Sequence, residues 1–148
     1  VAVYALQLVG AFAVVAVVSG AGTSQSAINE YKGLASRSPG MAAAFSILLL
    51  GMAGFPLTSG FVAKFGVFAN AWAGGFEWLV VLAVFASVIA LAVYLRVIVT
   101  MYMDDAEGEG FEIPPAARWA LIFATAATVL WGILPGSLLD LVANAFPI

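Results

Sequence analysis

The chain lacks cysteine and histidine altogether, and only 9% of its 148 residues are charged. Without thiolates or imidazoles it cannot supply the usual ligands of structural zinc, haem or iron–sulfur clusters, or the base of a Ser-His or Cys-His pair. We therefore expect no metal, no cofactor and no redox catalysis in this chain. The five basic residues form no basic patch, so we also expect no nucleic-acid partner.

Apolar residues, by contrast, make up 64% of the chain. Ordinary soluble chains carry roughly 25% charged residues, and uncharged apolar runs of about 18 residues or more are typical of transmembrane helices. Such runs account for most of this sequence. The fold class that it predicts is an all-α polytopic membrane protein, surrounded by a lipid bilayer.

Charge and Gly/Pro/Ser punctuation divide the chain into four predicted transmembrane segments within a single membrane region, 1–148. The predicted helices cover about 1–19, 41–73 (broken near 54–60), 78–103 and 117–134. A last apolar piece, 138–146, is either a continuation or an interfacial turn. The chain begins with valine and has no signal-peptide pattern, so we expect it to be the tail of a longer protein, with upstream helices as partners.

Four of the five cations predict the orientation. Lys32, Arg37, Arg96 and Arg118 all fall at the first-to-second or the third-to-fourth connection. By the positive-inside rule, loops 20–40 and 104–116 are cytoplasmic and both ends of the chain lie on the outer face. The predicted location is the cell inner (plasma) membrane.

The second segment is too long to be one straight span. A helix over all of 41–73 would be about 50 Å long, against a hydrocarbon core about 30 Å thick. Gly54, Pro56 and Gly60 supply a break, since proline cannot donate to the carbonyl four residues earlier and its ring clashes with it. Thr58 or Ser59 is the predicted cap of a second half-helix.

Lys64 is the fifth cation, and it lies in this second half-helix without a charged neighbour between Arg37 and Glu77. An ionisable group at membrane depth is costly and by default functional. Desolvation disfavours the charged form of a lysine, which favours proton exchange. The alternative is that Lys64 only extends to an interface, as lysines near helix ends do.

The remaining polar residues allow two interpretations each. Arg96 either faces a pathway or anchors its helix near the cytoplasmic boundary. Tyr94, like Tyr4, Gln7 and Thr100, either contacts a water chain or forms interhelical hydrogen bonds.

Residues 54–65 have the sequence Gly-Phe-Pro-Leu-Thr-Ser-Gly-Phe-Val-Ala-Lys-Phe, which resembles the broken-helix motif of subunit N of bacterial type I NADH:quinone oxidoreductase, complex I. This is one of the antiporter-like membrane subunits of that enzyme. Further similarity lies in residues 9–15, 30–35, 94–97 and 131–135, so the resemblance covers essentially the whole chain.

The resemblance implies that the chain is the final four helices of a fourteen-helix subunit and that Lys64 is the broken-helix lysine of a proton path. It implies a subunit of a proton-translocating NADH:quinone dehydrogenase with other membrane subunits as partners. NAD, FMN, iron–sulfur clusters and quinone would then belong to the partner subunits. The alternatives are a subunit of a multisubunit sodium/proton antiporter or of a membrane-bound hydrogenase, and a structural fragment that conducts nothing.

Overall fold

A computed structural model describes residues 2–20, 28–105, 112–134 and 136, and all the regular secondary structure in these residues is helical. The expected all-α class is thus confirmed for this part of the chain. The apolar piece 138–146 lies outside the described residues, as do parts of the two connections that were predicted to be cytoplasmic.

The described residues form six α-helices and one short 3₁₀ turn, Asn29–Tyr31. The helices are α1 (Ala2–Ser19), α2 (Leu34–Arg37), α3 (Pro39–Ala53), α4 (Ser59–Ala73), α5 (Glu77–Met103) and α6 (Pro115–Ile133). α3 and α6 begin two residues before their expected starts, each with proline in the first turn. A proline fits there because its missing N–H would have no intrahelical partner and its φ suits a helix.

Two of these helices, α5 and α6, are long and apolar enough to cross a membrane. α1 and α3 are apolar but shorter, and α4 has only 15 residues. The four spans predicted from hydropathy therefore correspond to two helices that meet this criterion and to shorter apolar pieces.

The core is formed where α1 packs against α3 and α6. Gly10 permits the close contact, since a β-carbon at this position would lie 2.5 Å from Ala124 Cβ and 2.8 Å from Leu48 Cδ1. Small residues at such contacts are typical of helices that associate in lipid, where packing replaces the hydrophobic effect as the driving force.

The connection between α1 and α3 is folded against the helices, which the sequence pattern did not predict. The Gly33 N–H donates to the carbonyl of Thr100 in the last turn of α5, at 3.3 Å. Arg37 donates to the carbonyls of Glu30 and Lys32, at 3.0 and 3.1 Å. Each bond satisfies a backbone oxygen that lacks a partner in a regular helix. The 3₁₀ turn and α2 thus lie in a stretch expected to be a plain loop, and the contact with α5 and the Arg37 side chain hold that stretch in place.

Candidate functional site

α3 stops at Ala53 in a complete C-terminal capping motif. Gly54 has a φ of 85° and its N–H donates to Gly51 O at 3.1 Å, while the Phe55 N–H donates to Leu50 O at 2.9 Å. These are the two bonds of a Schellman motif, which glycine accommodates because it has no side chain to clash at positive φ. The helix therefore ends before Pro56 is reached, and the proline prevents it from resuming.

Residues 54–58, called here the interruption, contain a tight turn. The Thr58 N–H donates to Phe55 O at 3.2 Å, with Pro56 at the second turn position and Leu57 at the third. Leu57 has a φ of 70°, the left-handed value that a type II turn requires at that position and that glycine normally supplies. A leucine there stores backbone strain of about 1–2 kcal/mol.

The side-chain cap predicted for the start of α4 was wrong. Thr58 is the N-cap residue by position, but it makes no capping hydrogen bond. Its hydroxyl donates instead to Phe55 O at 2.6 Å, which commits the side chain to the turn. The Ser59 hydroxyl accepts a hydrogen bond from another helix, described below.

Two glycines allow close backbone packing at the interruption and at the start of α4. A β-carbon at Gly60 would overlap the carbonyl oxygen of Gly51 in α3. One at Gly132 in α6 would overlap the carbonyl of Leu57 and lie 2.5 Å from Thr58 Cα. Gly60 lies in α4 and has no positive φ. Glycine therefore serves here to let the backbones of α3 and α4 approach each other.

Lys64 lies against this interruption, one and a half turns into α4. Its Nζ donates to the carbonyl of Ala53 at 2.8 Å and to the hydroxyl of Ser87 in α5 at 3.2 Å. The stem passes over Gly54, where a β-carbon would lie only 2.9 Å from Lys64 Cδ. Gly54 thus serves both the backbone turn and the path of the lysine.

Both partners of the ammonium are neutral. Ala53 contributes the last carbonyl of α3, at the negative end of the helix dipole, which helps to stabilise a cation. Within the described part of the chain, no carboxylate joins Lys64 in a salt bridge or hydrogen bond. Among the described residues, the nitrogen that carries the proton therefore has no fixed counter-charge.

Gln7 of α1 forms another polar contact beside the interruption, and this one is buried. The residue is 1% exposed, and its Nε2 donates to Ser59 Oγ at 3.1 Å. A β-carbon at Gly51 would lie 2.8 Å from this nitrogen, so α3 leaves room for the amide only because residue 51 is glycine. This contact is of the interhelical kind that the sequence left open for Gln7.

Tyr94 and Arg96 stand apart from Lys64. Tyr94 is half-buried against the core and Arg96 is exposed. The axial distance from Ser87 to Tyr94 along α5 is about 10 Å. Neither residue is a hydrogen-bond partner of the lysine.

Ser87 is the polar partner that sequence reasoning missed. It is the one polar side chain between Trp78 and Tyr94 in an otherwise apolar stretch. That isolation was a usable signal, since polar residues inside membrane helices normally face a protein partner. Its pairing with Lys64 depends on the register of α4 and α5, which the sequence does not specify.

In the described residues, no group of three or more acidic side chains lies close enough to share a metal ion.

The transmembrane family described as NADH:quinone oxidoreductase/Mrp antiporter matches residues 1–90. The chain is 41% identical to NADH-quinone oxidoreductase subunit N 3 of Streptomyces griseus, in an alignment that covers 96% of this chain and 26% of the relative. It is 43% identical to subunit N of a Nocardioides species, over 96% of this chain and 28% of the relative. The chain spans about a quarter of the length of these relatives. The resemblance carried by residues 54–65 is thereby confirmed.

Proposed function

Because the chain belongs to the NADH:quinone oxidoreductase/Mrp antiporter transmembrane family, we propose that it is part of a proton-translocating membrane subunit of an NADH:quinone oxidoreductase. The subunit N names of its relatives support this assignment. They favour it over a sodium/proton antiporter subunit or a membrane-bound hydrogenase, although the family description covers antiporters as well.

In this proposal α3 and α4 are the two halves of one discontinuous transmembrane helix. Each has 15 residues, about 22 Å of helix, which is too short for a hydrocarbon core of about 30 Å. Non-helical backbone at membrane depth is tolerated only where it is buried in protein or lines water. One face of the interruption packs against Gly132, beside the contact of Gly60 with Gly51. Phe55, Pro56 and Leu57 are exposed on the other face, so this proposal requires upstream helices of the same subunit, or water, to cover them. Together with α1, α5 and α6, the pair makes four spans.

Lys64 is the group that loads and releases the proton. The observation that carries this proposal is its hydrogen bonding to two neutral oxygens at a helix interruption, without a carboxylate partner among the described residues. A buried salt bridge would hold the ammonium in its charged form, whereas a carbonyl and a hydroxyl hold it more weakly. The lysine is therefore placed to change its charge during turnover.

Electron transfer takes place in partner subunits. The chain supplies no thiolate or imidazole ligand for an iron–sulfur cluster. In the proposed complex the clusters, and with them NAD, FMN and quinone, are bound by the other subunits. The chain takes part in an enzyme without performing its redox chemistry.

The proposed setting is the cell inner membrane, with other membrane subunits and upstream helices of the same subunit as neighbours. Lys32, Arg37, Arg96 and Arg118 support a cytoplasmic side at loops 20–40 and 104–116. The link between α4 and α5, and both ends of the chain, then lie on the outer side.

The test is NADH-driven proton uptake into inverted membrane vesicles that carry Lys64→Ala in the full subunit. Assembly is checked by the size of the detergent-extracted complex. We expect an assembled complex with proton uptake reduced at least tenfold, because the variant lacks the amine that hydrogen-bonds the helix end at Ala53. Normal proton uptake would contradict the proposed role of Lys64.

A further inference from the structure

The hydroxyl of Ser87 is the one side-chain group that hydrogen-bonds Lys64 in the described part of the chain. A hydroxyl both donates and accepts, whereas the carbonyl of Ala53 only accepts. Ser87 can therefore accept a hydrogen bond from the ammonium form of Lys64 and donate one to the neutral amine form. It is the partner that fits both protonation states of the lysine.

Among the described residues, the Ser87 hydroxyl donates no hydrogen bond. Hydroxyls inside helices commonly donate to the carbonyl four residues earlier in their own helix. Ser46 does so to Ala42 and Thr128 to Ala124, each at 2.8 Å. Ser87 makes no such bond within the described residues, and its oxygen is engaged with Lys64.

The register of the α4–α5 hairpin places both residues at the same depth. Lys64 lies about 14 Å along the axis from the end of α4 at Ala73, and Ser87 about 15 Å from the start of α5 at Glu77. Both distances are about half of a hydrocarbon core of about 30 Å. Proton exchange at this depth requires a local hydrogen-bond relay.

We propose that Ser87 is this relay, passing the proton of Lys64 to a water molecule on the α5 side of the site. One N–H bond of the ammonium breaks as an O–H bond forms at Ser87 Oγ. The original hydroxyl proton moves in the same step to the water oxygen. The products are a neutral amine, an intact serine and a protonated water, so charge and protons balance.

The role of Ser87 rests on the proposed function of Lys64, so the experiment must separate the two. Ser87→Ala removes the hydroxyl, and Ser87→Thr keeps it. Ser46→Ala is the matched control, because it removes a half-buried hydroxyl that bonds only its own helix. Proton uptake per NADH oxidised is measured in inverted vesicles in H₂O and D₂O, with assembly checked by size.

Ser87→Ala is expected to reduce proton uptake several-fold in an assembled complex, while Ser87→Thr restores it and Ser46→Ala leaves it unchanged. The ratio of proton uptake in H₂O to that in D₂O is expected to differ between Ser87→Ala and the unsubstituted complex. A purely structural role of Ser87 would leave this ratio unchanged. Should the alanine variant fail to assemble, Ser87→Val replaces it, since valine has nearly the shape of threonine but no group that can donate or accept a proton.

Normal proton uptake and an unchanged D₂O effect in an assembled hydroxyl-free variant would overturn the relay. If Lys64→Ala abolishes proton uptake in the same assay, only the relay has failed. If Lys64→Ala also leaves proton uptake intact, the proposed function of the lysine has failed as well.

Discussion

Gly54 combines two requirements that an L-amino acid with a side chain does not meet together. Its φ of 85° lies in the left-handed region, and its open Cα face lets the stem of Lys64 pass. The first requirement ends α3, and the second lets the ammonium reach Ala53 O. One residue thus couples the helix end to the position of the protonatable group.

Gly54→Ala is expected to destabilise the site and misplace Lys64. The left-handed conformation costs an alanine about 1–2 kcal/mol, and its β-carbon would lie 2.9 Å from Lys64 Cδ. We predict a lower thermal inactivation temperature of the complex and a several-fold loss of proton uptake, measured in vesicles.

Gly66→Ala is the matched control for this substitution. Gly66 lies in α4 near Lys64, and a β-carbon there meets nothing within 4 Å. Because alanine favours a helix over glycine, this variant should assemble and translocate protons normally. Equal behaviour of the two variants would show that the Gly54 geometry does not matter for function.

At the scale of elements, the interruption and the first turn of α4 are held by short contacts with α3, α6 and α1. Gly60 meets Gly51 of α3, Gly132 of α6 meets the interruption, and Ser59 is bonded to Gln7 of α1. The first two contacts are between backbones, so they depend on the absence of side chains. The third is polar and can be tested by substitution.

Gln7→Leu and Ser59→Ala should have non-additive effects on stability. Each single change breaks the same hydrogen bond, so the double variant should lose less than the sum of the single losses. Interhelical hydrogen bonds in membrane proteins contribute about 0.6 kcal/mol on average and up to about 1.7. The four proteins of the cycle are compared by thermal inactivation of the assembled complex. Strictly additive losses would mean that the bond does not form.

The location of the helix end was predictable from sequence at this scale, but its detailed form was not. Pro56 between two glycines predicts a break, because its chemistry is local. The Schellman motif at Gly54 and the use of the Thr58 hydroxyl inside the turn depend on which of several local hydrogen bonds forms. Those choices are decided by packing against α3 and α6, which a single sequence does not contain.

For the whole molecule, composition was sufficient for the all-helical class and for membrane location. Lys64 was identified as a candidate because a lone charge in an apolar run is rare whatever the fold. Ser87 was not assigned as the partner of Lys64, nor Gln7 as the partner of Ser59, since contacts between helices depend on their rotation and register. The pattern that marks a site is local, whereas the partners of the site are set by tertiary packing.

The central claim is that Lys64 acts by releasing its proton and not only by capping α3 at Ala53. Lys64→Arg separates these roles, because arginine keeps the positive charge and the N–H donors but is not deprotonated in proteins. The measurement is NADH-driven proton uptake by inverted vesicles containing assembled Lys64→Arg complex. The account predicts that proton uptake is lost as fully as in Lys64→Ala. Proton uptake at the wild-type rate would contradict it and leave Lys64 as a structural cap.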